Sequence, residues 1–326
     1  MSNVIINDSH LINIGNAIRE KTKTEDRYKP KDMAEAIKNI NSSGGQGNYV
    51  WEKYSNYESG AGVLPENTKL LLHFNENVDD SAGLNQIVPK NVVSYEDGFL
   101  EKCMVCDGVN FLSVPYNSDT IVLGKNNFTI AGWYKWSGVF EGTSDRAILF
   151  GHTYRYSNTY PWAGFDIELR ATGQLFWRIC TGYSTYKVEA TVNAYVTIGE
   201  WFHIALTRVG RYCYLYLNGT LVGTCDLGST SASIYQAANS PFRIAGTHDN
   251  SAVGAVGMNS TNRFIGQIDE FIIVNGSTLW AKDFEPPKFQ YGYGGVFEGY
   301  VVSNDLESYP DNNYLNGYYY KKVLGG

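Results

Sequence analysis

Residues 197–225 read TIGEWFHIALTRVGRYCYLYLNGTLVGTC. Trp201 to Arg208 is an extended run. From Tyr212 the residues alternate, with Cys213, Leu215 and Leu217 on one face and Tyr212, Tyr214 and Tyr216 on the other, the period of a strand. Asn218-Gly219 supplies two residues that take positive φ at little cost, which a type I′ hairpin turn requires. Thr220 to Thr224 returns as the partner strand. Neither face is strongly polar, so the hairpin is expected inside a two-layer sandwich rather than at a solvated edge.

The same pattern extends outward. Strands are expected near 69–75, 86–93, 102–106, 110–114, 127–135, 146–151, 164–170, 174–180, 186–193, 201–208, 211–217, 220–225, 241–245 and 264–274. Asp97-Gly98, Asp107-Gly108, Lys125-Asn126-Asn127 and Ala171-Thr172-Gly173 supply turns between them. Many short strands separated by turn signals predict an all-β sandwich.

W-F-H-I-A-L-T-R followed by Y-L-Y-L-N-G resembles the laminin-G-like branch of the concanavalin A-like lectin/glucanase family. Residues 70–80 (LLLHFNENVDD) resemble its first long strand and the loop after it. Residues 264–274 (FIGQIDEFIIV) resemble its closing strand. The resemblance implies a jelly roll of two antiparallel sheets over residues 66–287, with first and last strands side by side.

The chain has 326 residues, is 43% hydrophobic and 14% aromatic, and contains 25 tyrosines. Its formal charge is −7, and it has no Lys/Arg run, which argues against a nucleic-acid partner. The start MSNVIINDSH is not read as a signal peptide, and no stretch of 18 apolar residues suggests membrane insertion. The five cysteines include one C-x-x-C, Cys103 and Cys106, without a second pair at zinc spacing. Buried free thiols are the expectation.

Residues 1–41 carry the helical expectation. Asp8 or Ser9 can cap a helix with Leu11, Ile14 and Ile18 on one stripe, and Pro30 can open a second with Met33, Ile37 and Ile40. Such single-stripe helices must pack on something else, another copy or another protein, or fold onto the β domain. The run LINIGNAIREKT with DRYKPKDMAEAI resembles a leader of bacteriophage and prophage tail and tail-fibre proteins. Residues 42–65 form a linker with a short aromatic strand at 49–57. Residues 288–326 are expected to form a small β module, and Y-V-V-S-x-D, Y-P-D and G-Y-Y-Y resemble a short module of phage tail proteins. There a W-x-K-Y strand usually precedes it, and Trp51-Glu52-Lys53-Tyr54 lies far upstream here. The expectation is that 49–57 pairs with 290–326 and that the lectin-like domain is inserted between them.

The glucanases of the family carry E-x-D-x-E or E-x-D-x-x-E on one strand, so that the carboxylates share a face. Here Asp166 and Glu168 share a face, but Arg170 stands in the third place. Asp269 and Glu270 are consecutive and are expected to face opposite ways. No catalytic residue is assigned. His10, His73, His152 and His248 lack metal-ligand spacing, and His203 is expected to be structural. The resemblance implies a structural calcium as the one cofactor, held by an Asp of the closing strand with groups near the first strand and an early turn. The candidates by position are Asp269, Asn75, Asp107 and Gly108. Alternatively, Asp269 only accepts from backbone amides.

For ligand binding the family offers the concave sheet face or the loop rim. The rim candidates are Tyr154, Arg155, Tyr156, Tyr160 and Trp162, joined by Tyr183 and Tyr186. Aromatic rings stack on sugar CH faces, while Arg and Asn bind hydroxyls. These aromatics could equally plug the sandwich end or form a subunit contact. Asp145 and Arg146 could join either role.

Taken together, the resemblances imply a non-enzymatic virion tail protein, made in the host bacterial cytoplasm, that binds a bacterial cell-surface polysaccharide. Its partners would be other virion tail proteins and further copies of itself, as a homotrimer. The alternatives are a structural virion decoration and a glycan depolymerase.

Overall fold

The computed structural model describes residues 49–53, 57–59, 64–141, 144–154, 163–182, 185–238, 240–246, 262–288, 290–292, 295–297, 302–303 and 320–324. Outside 64–292, and at Tyr154 and Ala163, only the backbone is described. The expected helices at 8–41 lie outside the described residues.

The strands, in chain order, are β1 (Tyr49–Lys53), β2 (Tyr57–Ser59), β3 (Thr68–Leu72), β4 (Val88–Lys90), β5 (Ser94–Asp97), β6 (Lys102–Asp107) and β7 (Phe111–Val114). They continue with β8 (Phe128–Trp136), β9 (Arg146–Tyr154), β10 (Ala163–Arg170), β11 (Gln174–Cys180), β12 (Tyr186–Tyr195), β13 (Trp201–Val209), β14 (Tyr212–Leu217) and β15 (Thr220–Asp226). The last are β16 (Phe242–Ile244), β17 (Ile265–Asn275), β18 (Ser277–Thr278), β19 (Gly295–Phe297), β20 (Val302–Ser303) and β21 (Tyr320–Leu324). The expected strand at 86–93 is shorter, because β4 ends at Lys90 and Asn91 takes a φ of +63°.

A front sheet of seven strands runs β12-β11-β10-β9-β16-β7-β4. A back sheet of eight contains β15-β14-β13-β8-β17-β6-β5, with β3 also paired to β17. Both are antiparallel, and they enclose one apolar core that includes Phe150, Phe165, Trp177, Ile204, Leu215 and Phe271. This is the all-β sandwich that the strand pattern predicts, in the two-sheet jelly-roll form that the family resemblance implies. First and last strands lie side by side, with Leu72 opposite Phe271 and Leu70 opposite Ile273. Outside the two sheets, β1 pairs with β21, β2 with β19, and β18 with β20.

The hairpin β14–β15 turns at Asn218 and Gly219, both at positive φ, +50° and +78°. Cys213 and Leu215 point into the inter-sheet core. Tyr216, on the other face, is also buried, in a second cluster with Leu71, Ala205, Ile272, Trp280 and Tyr291, flanked by Phe284. The segment after β18 therefore covers the outer side of the back sheet. Trp280 and Phe284 stack with centroids 4.0 Å apart. This third layer is why neither face of the hairpin is polar.

Strand β17 contains the main irregularity. Asp269 pairs with Trp133, but Ile272 pairs with Ala131, one residue out of step. Glu270 takes a φ of +47°. Ile268 and Phe271 both face the inter-sheet core. Asp269 and Glu270 between them are therefore both displaced to the outer side, which corrects the expectation that consecutive carboxylates face opposite ways. A β-bulge resets alternation in this manner.

Gly219 tests the covering layer. A Cβ there would lie 1.8 Å from the Phe284 carbonyl oxygen, whereas one at Gly199, φ +76°, meets nothing within 4 Å. Gly199→Ala should cost about 1 kcal/mol, the positive-φ penalty alone. Gly219→Ala should cost roughly 3 kcal/mol, because backbone must also move. Urea midpoints of the two variants measure the difference, and equal costs would show that the 279–291 layer does not press on the turn.

Candidate functional site

On β10, Phe165, Ile167 and Leu169 enter the core. Alternation then puts Asp166, Glu168 and Arg170 on the outer face of the front sheet. On β11, Leu175, Trp177 and Ile179 enter the core, leaving Phe176 and Arg178 beside them. The registers place Asp166 opposite Arg178 and Glu168 opposite Phe176. The result is a lattice of charges. Arg178 Nη1 donates to Asp166 Oδ2 at 2.9 Å, its Nε to Glu189 Oε1 at 3.1 Å, and its Nη2 lies 3.7 Å from Glu168 Oε1. Arg170 Nη2 reaches Glu168 Oε2 at 2.8 Å, and Arg146 Nη1 lies 3.9 Å from the same oxygen. The guanidinium carbons of Arg170 and Arg178 lie 4.1 and 5.5 Å from the Phe176 ring centroid. The same row continues across the sheet, from Asp166 to Gly151, then Arg243, then Ser113. Arg243 Nη1 donates to Ser113 Oγ at 2.7 Å.

Asp166, Glu168 and Arg178 are at most 5% exposed. Burial pushes the Asp166 carboxyl up to about 7, against the opposing pull of Arg178. The two partners' shifts differ in kind, since Arg178 itself is held above its usual range by Asp166 and Glu168 despite its own burial. At 2.9 Å the ion pair is the stronger constraint, and Asp166 is read as ionised near neutrality. Its Oδ1 has no hydrogen-bond partner among the described residues.

Asp166 and Glu168 share a face as the sequence predicts, and Arg170 binds Glu168. Of the rim candidates, Arg155, Tyr156, Tyr160, Trp162 and Tyr183 lie outside the described residues, and Tyr154 is described only as a backbone position opposite Ala163. Tyr186 is half-buried at the start of β12 and is paired with Cys180. Burial and the neighbouring Glu189 raise its hydroxyl pKa. Sequence reasoning missed Arg178, Glu189 and Arg243. The alternation in QLFWRIC would have put Arg178 on the polar face of β11, but its partners follow only from register.

The calcium candidates do not form one site. Asp269 Oδ2 accepts the Leu100 N–H at 2.7 Å, while its Oδ1 has no hydrogen-bond partner among the described residues. Burial pushes its carboxyl up to about 8. Asn75 Oδ1 accepts from the Lys102 N–H at 3.2 Å. Asp107 Oδ1 accepts from the Val109 and Asn110 amides, both at 2.9 Å. Asp107 sits opposite Ile265, four residues along β17 from Asp269, or about 13 Å. The Gly108 carbonyl accepts from Arg263 Nη1 at 3.0 Å, a cation already in place. These four residues do not fit a shared calcium. The outer-side neighbour Glu270 instead pairs with His73 Nδ1 at 2.6 Å and accepts the Tyr291 N–H at 3.3 Å.

The other groups read as structural. All five cysteines are buried thiols. His203 lies 5.2, 5.6 and 5.7 Å by ring centroid from Trp133, Trp280 and Phe284. His10 and His248 lie outside the described residues. His152 Nε2 meets the Ser240 carbonyl at 2.5 Å.

Residues 112–281, more than half of the chain, match Laminin_G_3, described as the concanavalin A-like lectin/glucanases superfamily. The chain belongs to the concanavalin A-like lectin/glucanases superfamily. No curated protein sequence matches it. Among solved structures similar to this superfamily member is domain 4 of AbnA, a GH43 extracellular arabinanase from Geobacillus stearothermophilus, in complex with arabinotriose. It is 18% identical, with a TM-score of 0.44, over 64% of this chain and 92% of that one. The binding domain of Paraclostridial Mosquitocidal Protein 1 is 20% identical, with a TM-score of 0.47, over 64% of this chain and 49% of that one. The binding domain of botulinum neurotoxin serotype D is 15% identical, with a TM-score of 0.46, over 65% and 49%.

Two outcomes are expected. Arg178→Met leaves Asp166 and Glu168 buried with too little positive charge and should destabilise the fold by roughly 3–5 kcal/mol. The loss should shrink as pH falls and the acids protonate, and chemical denaturation at pH 5 and 8 measures both. The His203 imidazole, pushed by burial down to about 3, is neutral in the folded state, while the unfolded value is about 6.5. Its contribution is complete above pH 6.5 and is lost as pH falls from there to about 3. His203→Phe should flatten this part of the acid limb in a pH series of melting temperatures.

Proposed function

We propose that this protein is a non-enzymatic adhesin, a tail-associated component of a phage or prophage particle whose sandwich binds a glycan of the bacterial surface. The observation that carries the glycan reading is the charge lattice on the outer face of the front sheet, in a chain of a lectin and glucanase superfamily. Guanidinium forks and carboxylates held in fixed positions by one another match the paired hydroxyls of a sugar ring. The exposed margin of the lattice, Arg146, Glu189 and Asp145, gives a ligand access to it.

The absence of turnover is part of the proposal. Glycoside hydrolysis needs one carboxyl group free to give a proton and a second free to attack or to activate water. Here Asp166 is held by Arg178, and Glu168 is reached by three arginines. The tail assignment rests on the resemblance of the leader and the C-terminal segment to phage tail modules. Many copies on one particle would make weak single sites sufficient through avidity.

The test is an array of bacterial surface polysaccharides probed with the full-length protein. Discrete binding is expected, with no release of reducing ends on long incubation, and Glu189→Ala should weaken it severalfold. A folded protein that binds nothing would favour a purely structural decoration of the virion. Release of reducing ends would replace the adhesin with a depolymerase.

A further inference from the structure

Arg146 and Arg170 stand directly opposite each other on β9 and β10. Like charges facing across a ladder destabilise it. Glu168 lies between them, 2.8 Å from Arg170 and 3.9 Å from Arg146, and it also lies 3.7 Å from Arg178. One buried carboxylate therefore faces three guanidinium groups. The other buried acid, Asp166, is taken up by Arg178 at 2.9 Å. Asp145 pairs with Arg146 at 3.1 Å and Glu189 with Arg178 at 3.1 Å, but their side chains are 69% and 43% exposed. Pairs at such positions are screened and weak. Around these three guanidinium groups stand two buried carboxylates, Asp166 and Glu168, and two exposed ones, Asp145 and Glu189.

The accessible cations are the cross-strand pair. The Arg146 and Arg170 side chains are 37% and 19% exposed, against 6% for Arg178. Arg170 is held against Phe176 at 4.1 Å. A planar guanidinium fixed by an aromatic ring and flanked by a second one presents forked donors to a carboxylate or to a sulfate or phosphate ester.

We propose that the Arg146–Arg170 pair is a subsite for an anionic substituent, so that the glycan bound at this face is acidic rather than neutral. This rests on the glycan reading above and specifies its ligand class. A ligand anion seated there adds a counter-charge between the two facing arginines. Asp145, beside Arg146, competes with the incoming group.

The experiment measures binding of the full-length protein to matched pairs of polymers by calorimetry. A polyuronate is compared with its carboxyl-reduced form, and a sulfated polysaccharide with its desulfated form. At least one acidic polymer should bind tenfold or more tightly than its neutral partner, with affinity falling as salt rises from 50 to about 300 mM. The pair that shows the preference identifies the anion. Arg146→Gln should abolish the preference. Asp145→Asn, at an exposed position, should strengthen acidic binding a fewfold, which a merely structural role would not do. If Arg146→Gln lowers the melting temperature, Arg146→Lys, which keeps the charge and loses the fork, replaces it and should weaken acidic binding severalfold. Equal binding of acidic and neutral polymers, or an acidic preference unchanged by every variant, would overturn the subsite and leave the glycan reading standing. A folded protein that binds none of the four polymers and no polysaccharide on the array would overturn both.

Discussion

The structure depends on β17 having neighbours in every direction. It is hydrogen-bonded to β8 on one side and to β3 and β6 on the other. Phe271 and Ile273 fill the inter-sheet core, while Ile272 and Val274 fill the cluster beneath Trp280 and Tyr291. A strand buried on both faces has no place for a charge except where its alternation breaks. The bulge at Asp269 and Glu270 is that place. There one carboxylate accepts the Leu100 amide and the other takes His73, tying the start of the domain to its end. The same constraint explains the covering segment, because without Trp280 and Phe284 the tyrosine face of β14 and the His203 ring would meet water.

The front sheet solves the opposite problem. Its inner face is as apolar as any core, but its outer face holds ionic groups that are nearly as buried. Such groups are tolerated when each charge meets an opposite one at short range and further hydrogen bonds use the remaining lone pairs. Arg178 meets that condition by reaching Asp166, Glu168 and Glu189 together. A lattice of this kind adds little net stability over an apolar surface, but it fixes the directions of donors and acceptors.

Much of the fold was legible because its signals are local. Alternation at 212–217, the Asn218-Gly219 turn and the Gly-containing turns at 97–98, 107–108 and 171–173 depend only on residues adjacent in the chain. The closing strand was recognised from FIGQIDEFIIV, and its position beside 70–72 followed. The bulge was not legible, since Ile-Asp-Glu-Phe alternates as well as any regular strand. The charged face was half legible: Asp166, Glu168 and Arg170 could be placed on one face, whereas Arg146 was considered only with the rim loop. Arg178 and Glu189 could not be placed, because nothing in β11 or β12 alone states which residues stand opposite.

While the short strands β5 and β18 were not among those expected, the sequence by itself determined most of the sandwich strands and their order, the sites of the tight turns and the faces of the strands at 166–170 and 212–217. These are set by side-chain period and by backbone conformations that few residue types accept. Only the tertiary structure decided that Asp269 and Glu270 lie on one side, that Asp107 and Gly108 stand apart from them, and that three arginines gather around Glu168. Each of these depends on register between strands far apart in the chain, and a shift of one residue reverses every side chain it touches.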